Sequence, residues 1–179
     1  MVKSILSKID AFSKAGFTES EHGLFLVSKV RMYISAAIVA ILVSVSLGIL
    51  SFFQNYFVLA VTDLIFATLI ILKIFYLRRT KKYFNVAIAS VILVGFYCIY
   101  LLASGGVNNT ASLWLYTFPL VTFSLLDSKK GLYSNTTILI LVSSYFFVFQ
   151  YESEAFAKYS IDYILRFIPS YLVVSLYSY

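Results

Sequence analysis

Six apolar stretches, near 31–53, 55–77, 83–103, 111–126, 132–150 and 160–179, alternate along the chain with short polar connections. About 20 apolar residues are what a helix needs to cross a bilayer. The pattern therefore predicts an all-α, polytopic membrane protein, a bundle of six transmembrane helices. The fourth stretch is short, which predicts less tilt than its neighbours or a locally thinned bilayer. Ahead of the first stretch, Val2, Ile5, Leu6, Ile9 and Phe12 fall at helical spacing, with Lys3, Asp10 and Lys14 directed elsewhere. That spacing fits a short amphipathic helix lying on a membrane surface. Thr18 with Glu21 three residues later fits a capping box that starts a second helix. The chain thus reads as a cytoplasmic amphipathic leader, 1–28, followed by a six-helix transmembrane domain, 29–179. No apolar core of signal-peptide length follows the first lysines. No clear internal repeat is present either, which removes the best sequence pointer to an inverted-repeat transporter.

Charge then orients the bundle. Lys3, Lys8, Lys14, Lys29 and Arg31 precede the first stretch; Arg78, Arg79, Lys81 and Lys82 follow the second; Lys129 and Lys130 follow the fourth. The other three connections carry only Lys158, beside Glu152 and Glu154. Basic loops stay in the cytoplasm, so 1–30, 78–82 and 127–131 are placed inside and both termini are cytoplasmic.

Composition agrees: 61% of residues are hydrophobic and 12% charged, and the mean hydropathy of +0.90 is too high for a water-covered domain of this size. The net charge of +6 sits in the loops and calls for no nucleic acid. One cysteine, Cys98, and one histidine, His22, outside the apolar stretches, exclude an internal disulfide, a multi-cysteine metal site and paired-histidine haem ligation. No cofactor or metal is expected. The sequons at Asn108 and Asn135 are short motifs common by chance, and Asn135 falls at the inner end of a span.

Ionisable groups inside spans are costly and usually face the bundle interior or a cavity. Asp63 lies about eight residues into the second span, roughly 12 Å deep, and Arg166 about six residues into the sixth, roughly 9 Å. An ion pair between them, a local Arg166–Asp162 pair, or a protonated Asp63 bonded to a neighbouring helix are all consistent with this. Lys73, near the inner end of the second span, is placed to snorkel to the headgroups. Pro119 and Pro169 fall inside spans, where proline kinks a helix and is either static or a hinge. Tyr56, Tyr100, Trp114, Tyr116, Tyr151 and Tyr159 read first as an interfacial aromatic belt, with Trp114 set apart by the motif that contains it.

That motif is residues 105–131, GGVNNTASLWLYTFPLVTFSLLDSKKG. Gly105 and Gly106 supply a tight turn, Asn109 or Thr110 can cap a helix beginning near Ala111, and Lys129–Gly131 turn the chain into the next span. The stretch resembles the N-terminal membrane input modules of bacterial diguanylate cyclases and sensor histidine kinases. The matching residues are Gly105, Gly106, Asn109, Thr110, Trp114, Tyr116, Phe118, Pro119, Lys130 and Gly131. It departs from their pattern at Ala111, where glycine is usual, and at Asp127, where a small residue is common.

The resemblance implies a sensor of the bacterial cytoplasmic membrane that passes a conformational change through its last helix to a cytoplasmic output domain, working as a homodimer. On that expectation the chain is the membrane portion of a longer receptor with a diguanylate cyclase or, next, a histidine kinase output. Asp63, Asn109, Trp114, Tyr116 and Arg166 become the contacts for a small or hydrophobic ligand, with Pro119 and Pro169 as bends. The alternative is a small transporter with Asp63 as a proton-coupled carboxylate. Catalysis by the segment itself is not expected, because the spans hold no paired carboxylates, histidine cluster or nucleophile–base arrangement.

Overall fold

The computed structural model describes residues 14–151 and 156–179; the amphipathic leader expected over 2–12 lies outside them. Among the described residues every regular element is helical. In order these are α1 (Glu19–Phe53), α2 (Phe57–Thr80), α3 (Tyr83–Ser104), a 3-10 segment (Val107–Tyr116), α4 (Thr117–Leu125), α5 (Ser128–Phe147), a 3-10 turn (Phe149–Tyr151) and α6 (Ile161–Ser178). Three helical stretches are long and apolar enough to cross a membrane: Gly23–Phe53, Phe57–Thr80 and Tyr83–Ser104, with mean hydropathies of 2.5, 2.3 and 2.5. The described chain falls into two compact units, one ending at Ser90 and the other starting at Val91.

In the first unit, α1 starts directly after Thr18, which is extended but makes no side-chain capping bond. The side chain of Glu21, the other half of the expected capping box, lies outside the described residues. The first turn is broken at Gly23, whose φ of 76° and ψ of 152° leave the helical region, and the spanning part follows. Buried positions Val27, Val30, Ile34, Ala37, Ser44 and Ser51 on α1 recur at steps of three, four or seven residues, and Ala60, Asp63, Ala67, Ile70, Ile74 and Leu77 on α2 at steps of three and four. This is the seam of two helices packed at a shallow angle. A Cβ on Gly48 would lie 3.2 Å from the Ala60 carbonyl oxygen and 3.3 Å from the Asp63 Cβ, so the two backbones approach closely there, and any side chain would push its neighbours by a few tenths of an ångström.

Asn55 (φ 64°) ends α1, with the Tyr56 amide reaching the Ser51 carbonyl at 2.9 Å and the Asn55 amide reaching that of Phe52 at 3.1 Å. These are the two crossed bonds of a Schellman cap, with asparagine in the left-handed position usually held by glycine. Lys81 (φ 57°) ends α2 in the same conformation; its ammonium donates to the Ala15 carbonyl and sits 4.9 Å from the centre of the Phe17 ring. Lys73 bonds the Ala89 carbonyl at 2.5 Å, so its charge is spent on backbone.

The second unit departs from a simple succession of spans. Where one helix is expected over 111–126, the chain is 3-10 to Tyr116 and α-helical only over nine residues, Thr117–Leu125. Side chains account for this. Thr110 bonds the Val107 carbonyl (2.7 Å), Ser112 that of Asn109 (3.3 Å) and Thr117 that of Trp114 (2.7 Å). All three reach back three residues, competing with α-helical closure. Asn109, expected as a cap, instead takes a positive φ of 59°. Pro119 stands in the first turn of α4, at the change from 3-10 to α, while Pro169 is inside α6.

Candidate functional site

The second unit is organised around one face of α6. Tyr159, Tyr163, Phe167 and Tyr171 are four residues apart, so successive turns of the helix, begun at Ser160, place their rings one above another. The rings stack with centroid separations of 5.2, 5.8 and 6.1 Å and interplanar angles of 29°, 24° and 22°. From Tyr159, just ahead of α6, to Tyr171 the ladder runs about 17 Å along its rings, more than half the hydrocarbon thickness of a bilayer. Phe146 of α5 packs edge-on against it, 5.4 Å from Tyr159 and 5.5 Å from Phe167. Tyr116 lies 5.0 Å from Phe167 on the other side.

Each end of the ladder is tied by buried or part-buried hydrogen bonds. At the start of α6, the Ser112 and Tyr163 hydroxyls are 2.6 Å apart, and the Tyr159 hydroxyl donates to the Leu102 carbonyl at 3.0 Å. Gln150, fully buried, donates to the Phe146 carbonyl (2.6 Å) and accepts from the Tyr159 amide (2.9 Å). The Tyr145 hydroxyl donates to the Ala157 carbonyl at 2.7 Å. At the far end, Tyr171 donates to Asn135 Oδ1 at 3.1 Å. Asn135 Nδ2 in turn donates to Thr122 Oγ1 (2.6 Å) and to the Gly131 carbonyl (3.0 Å). Thr122 is itself held by the Phe118 and Pro119 carbonyls. One node thus joins α4, α5 and α6 through side chains that are all buried.

Of the residues singled out from sequence, Tyr116 packs on the ladder, Pro119 anchors the far node through its carbonyl, and the Asn109 carbonyl accepts from Ser112. Trp114 is 36% exposed and meets its neighbours through its carbonyl, which accepts from Thr117. Arg166 and Pro169 are on the exposed side of α6, away from the ladder face. Asp63 is buried in the first unit, in the α1–α2 seam beside Gly48. The residues missed by sequence reading are Ser112, Thr122, Asn135, Tyr145, Gln150, Tyr163, Phe167 and Tyr171. The four-residue spacing on α6 was the available signal; the partners of Asn135 left none. Among the described residues no three of His, Cys, Asp and Glu come together as a metal would require.

What this arrangement can do is mechanical. The stacked aromatic face is tied by side chains to the 3-10 segment at one end and to α4 and α5 at the other. Compared with known proteins, the chain matches the family model MASE6 over residues 26–179. No curated protein and no solved structure matches it.

Proposed function

Because the chain belongs to MASE6, a family of membrane-associated sensor domains, we propose that it is the signal-input part of a receptor and relays its stimulus through α6. The ladder from Tyr159 to Tyr171 is the observation that carries this reading. It gives one helix a stiff face held by hydrogen bonds at two depths, so a shift at one level displaces the other. The segment binds and relays; it does not catalyse. Six spans with both termini in the cytoplasm, as the basic loops indicate, place the α6 C-terminus beside a cytoplasmic output domain. The short α4 then crosses together with the 3-10 segment ahead of it. A diguanylate cyclase output is favoured, a histidine kinase next, in a bacterial cytoplasmic membrane and as a homodimer joined through α6. The stimulus is a small or hydrophobic ligand, or a state of the bilayer, acting near Asn109, Trp114 and Tyr116. It biases α6 by its differential affinity for two packings of the unit.

The test uses the intact receptor in its membrane. Phe167→Ala removes an inner rung and is expected to change the output activity at least several-fold while membrane insertion and expression stay normal. Arg166→Ala is expected to do the same if the exposed side of α6 meets a partner helix. Normal output with a folded Phe167→Ala protein overturns the relay. Substrate flux into vesicles containing the purified chain would instead favour the transporter reading, in which the buried Asp63 carries a proton.

A further inference from the structure

The geometry points to a binding site for one anionic phospholipid in the second unit, in a groove lined by none of the ladder residues. A groove of about 560 Å³ runs between α3 and α5 over α4, lined by Ile92, Gly95 and Ile99 on one side, Thr137 and Leu141 on the other, and Phe118 at the floor. Gly95 makes the depth: a Cβ there would meet Ile138 and the Phe118 ring at 3.3 Å each. Both walls run for nine residues, 91–99 and 133–141, which is about 12 Å of helix from end to end. The lining is almost wholly apolar. In a bilayer such a groove holds hydrocarbon, and its length suits one acyl chain within a single leaflet of about 15 Å.

Charge selects the headgroup. On α5 the groove stripe Ser134, Thr137 and Leu141 continues one turn back to Lys130, and Tyr133 continues to Lys129. Both lysines are exposed, and with Asp127 the turn 127–131 carries a net charge of +1 (two lysines less one aspartate). A chain lying in the groove therefore brings its phosphate to the basic first turn of α5, where the amides of a helix N-terminus also favour an anion. Tyr133, 74% exposed, stands between the two, at the level where tyrosines meet headgroups. An uncharged apolar ligand would use the groove but not the lysines. The site lies in whichever leaflet holds the 127–131 turn, the cytoplasmic one on the topology proposed above.

Native mass spectrometry of the intact chain, released from nanodiscs of phosphatidylcholine containing one-tenth phosphatidylglycerol, tests this. The expected result is one phosphatidylglycerol retained per chain, at least tenfold above its share of the lipid. Lys129→Gln with Lys130→Gln removes the enrichment without emptying the groove. Thr137→Trp, a bulky side chain on the exposed rim, removes bound lipid of either kind. No enrichment in the wild type, or enrichment that survives both variants, overturns the site. A mass of two chains that Thr137→Trp returns to one also overturns it, in favour of a second copy in the groove. Labelling of Ser128→Cys from each side of oriented vesicles reports the leaflet separately. A reversed topology relocates the lipid but leaves the enrichment intact.

Discussion

Tyr171→Phe removes a single oxygen from the node that joins α4, α5 and α6. The ring stays, so its stacking on Phe167 at 6.1 Å is preserved and the change isolates one hydrogen bond. That bond ends on Asn135 Oδ1, on a side chain only 4% exposed, from a tyrosine 1% exposed. Interhelical bonds in membrane proteins average about 0.6 kcal/mol and reach about 1.7. Burial at both ends argues for the upper half of that range, about 1–1.5 kcal/mol. Asn135→Ala removes three bonds, to Thr122, Gly131 and Tyr171, and leaves a cavity, costing about 2–4 kcal/mol.

The two changes share the Tyr171–Asn135 bond, so the double variant is expected to fall short of the sum by about 1 kcal/mol. Reversible unfolding by SDS in mixed micelles measures this. Trp114 is the sole tryptophan and reports directly on the second unit. A coupling energy within about 0.3–0.5 kcal/mol of zero, the ordinary scatter of additive pairs, refutes the bond as a tie between helices.

Gln150→Leu fills the same space but leaves the Tyr159 amide without its acceptor; it is expected to cost about 1–3 kcal/mol in the same SDS titration and to speed hydrogen exchange at Tyr159. Gly48→Val pushes branched carbon against the Ala60 carbonyl and Asp63; it is expected to destabilise the first unit by about 1–3 kcal/mol, read by thermal unfolding. Cys98, 2% exposed, is expected to resist maleimide in the folded chain and to react fully once SDS unfolds it. Rapid labelling of the native protein would show that its helix is not packed as described.

The long helices were legible because their information is local. A run of 20 or more apolar residues declares a span whatever it packs against; α2 and α3 match the expected stretches to within three residues, whereas α1 ends where expected but begins at Glu19, well ahead of 31. The fourth stretch misled because its composition is apolar while its conformation is set by Thr110, Ser112 and Thr117, whose hydroxyls bond carbonyls three residues back. Tyr159 illustrates a different limit. Read alone it suits an interfacial belt, and only its spacing to Tyr163, Phe167 and Tyr171 makes it the first rung of a ladder. Asn135 was visible only as a sequon. Its partners are 13 and 36 residues away in sequence, and periodicity carries no information at that range. The polar residues conspicuous by charge drew attention first, although the nodes are built from neutral amides and hydroxyls.

Neutral groups suit a relay inside a membrane for a physical reason. On the proposed six-span topology these groups lie in hydrocarbon, where no water replaces a lost partner, so Ser112–Tyr163 and Tyr171–Asn135 would each be made or broken rather than gradually weakened. The two sites are eight residues apart on α6, about 12 Å, far enough that their contributions to stability should add. Their effects on output should not. If the stacked rings transmit displacement, breaking either tie frees the same motion of α6, and breaking both frees little more. Ser112→Ala and Tyr171→Phe are therefore expected to add in an unfolding titration. In the activity of the intact receptor the double variant should resemble the stronger single one. Activities that multiply as independent factors would mean that the two ends of α6 move separately and that the ladder is only packing.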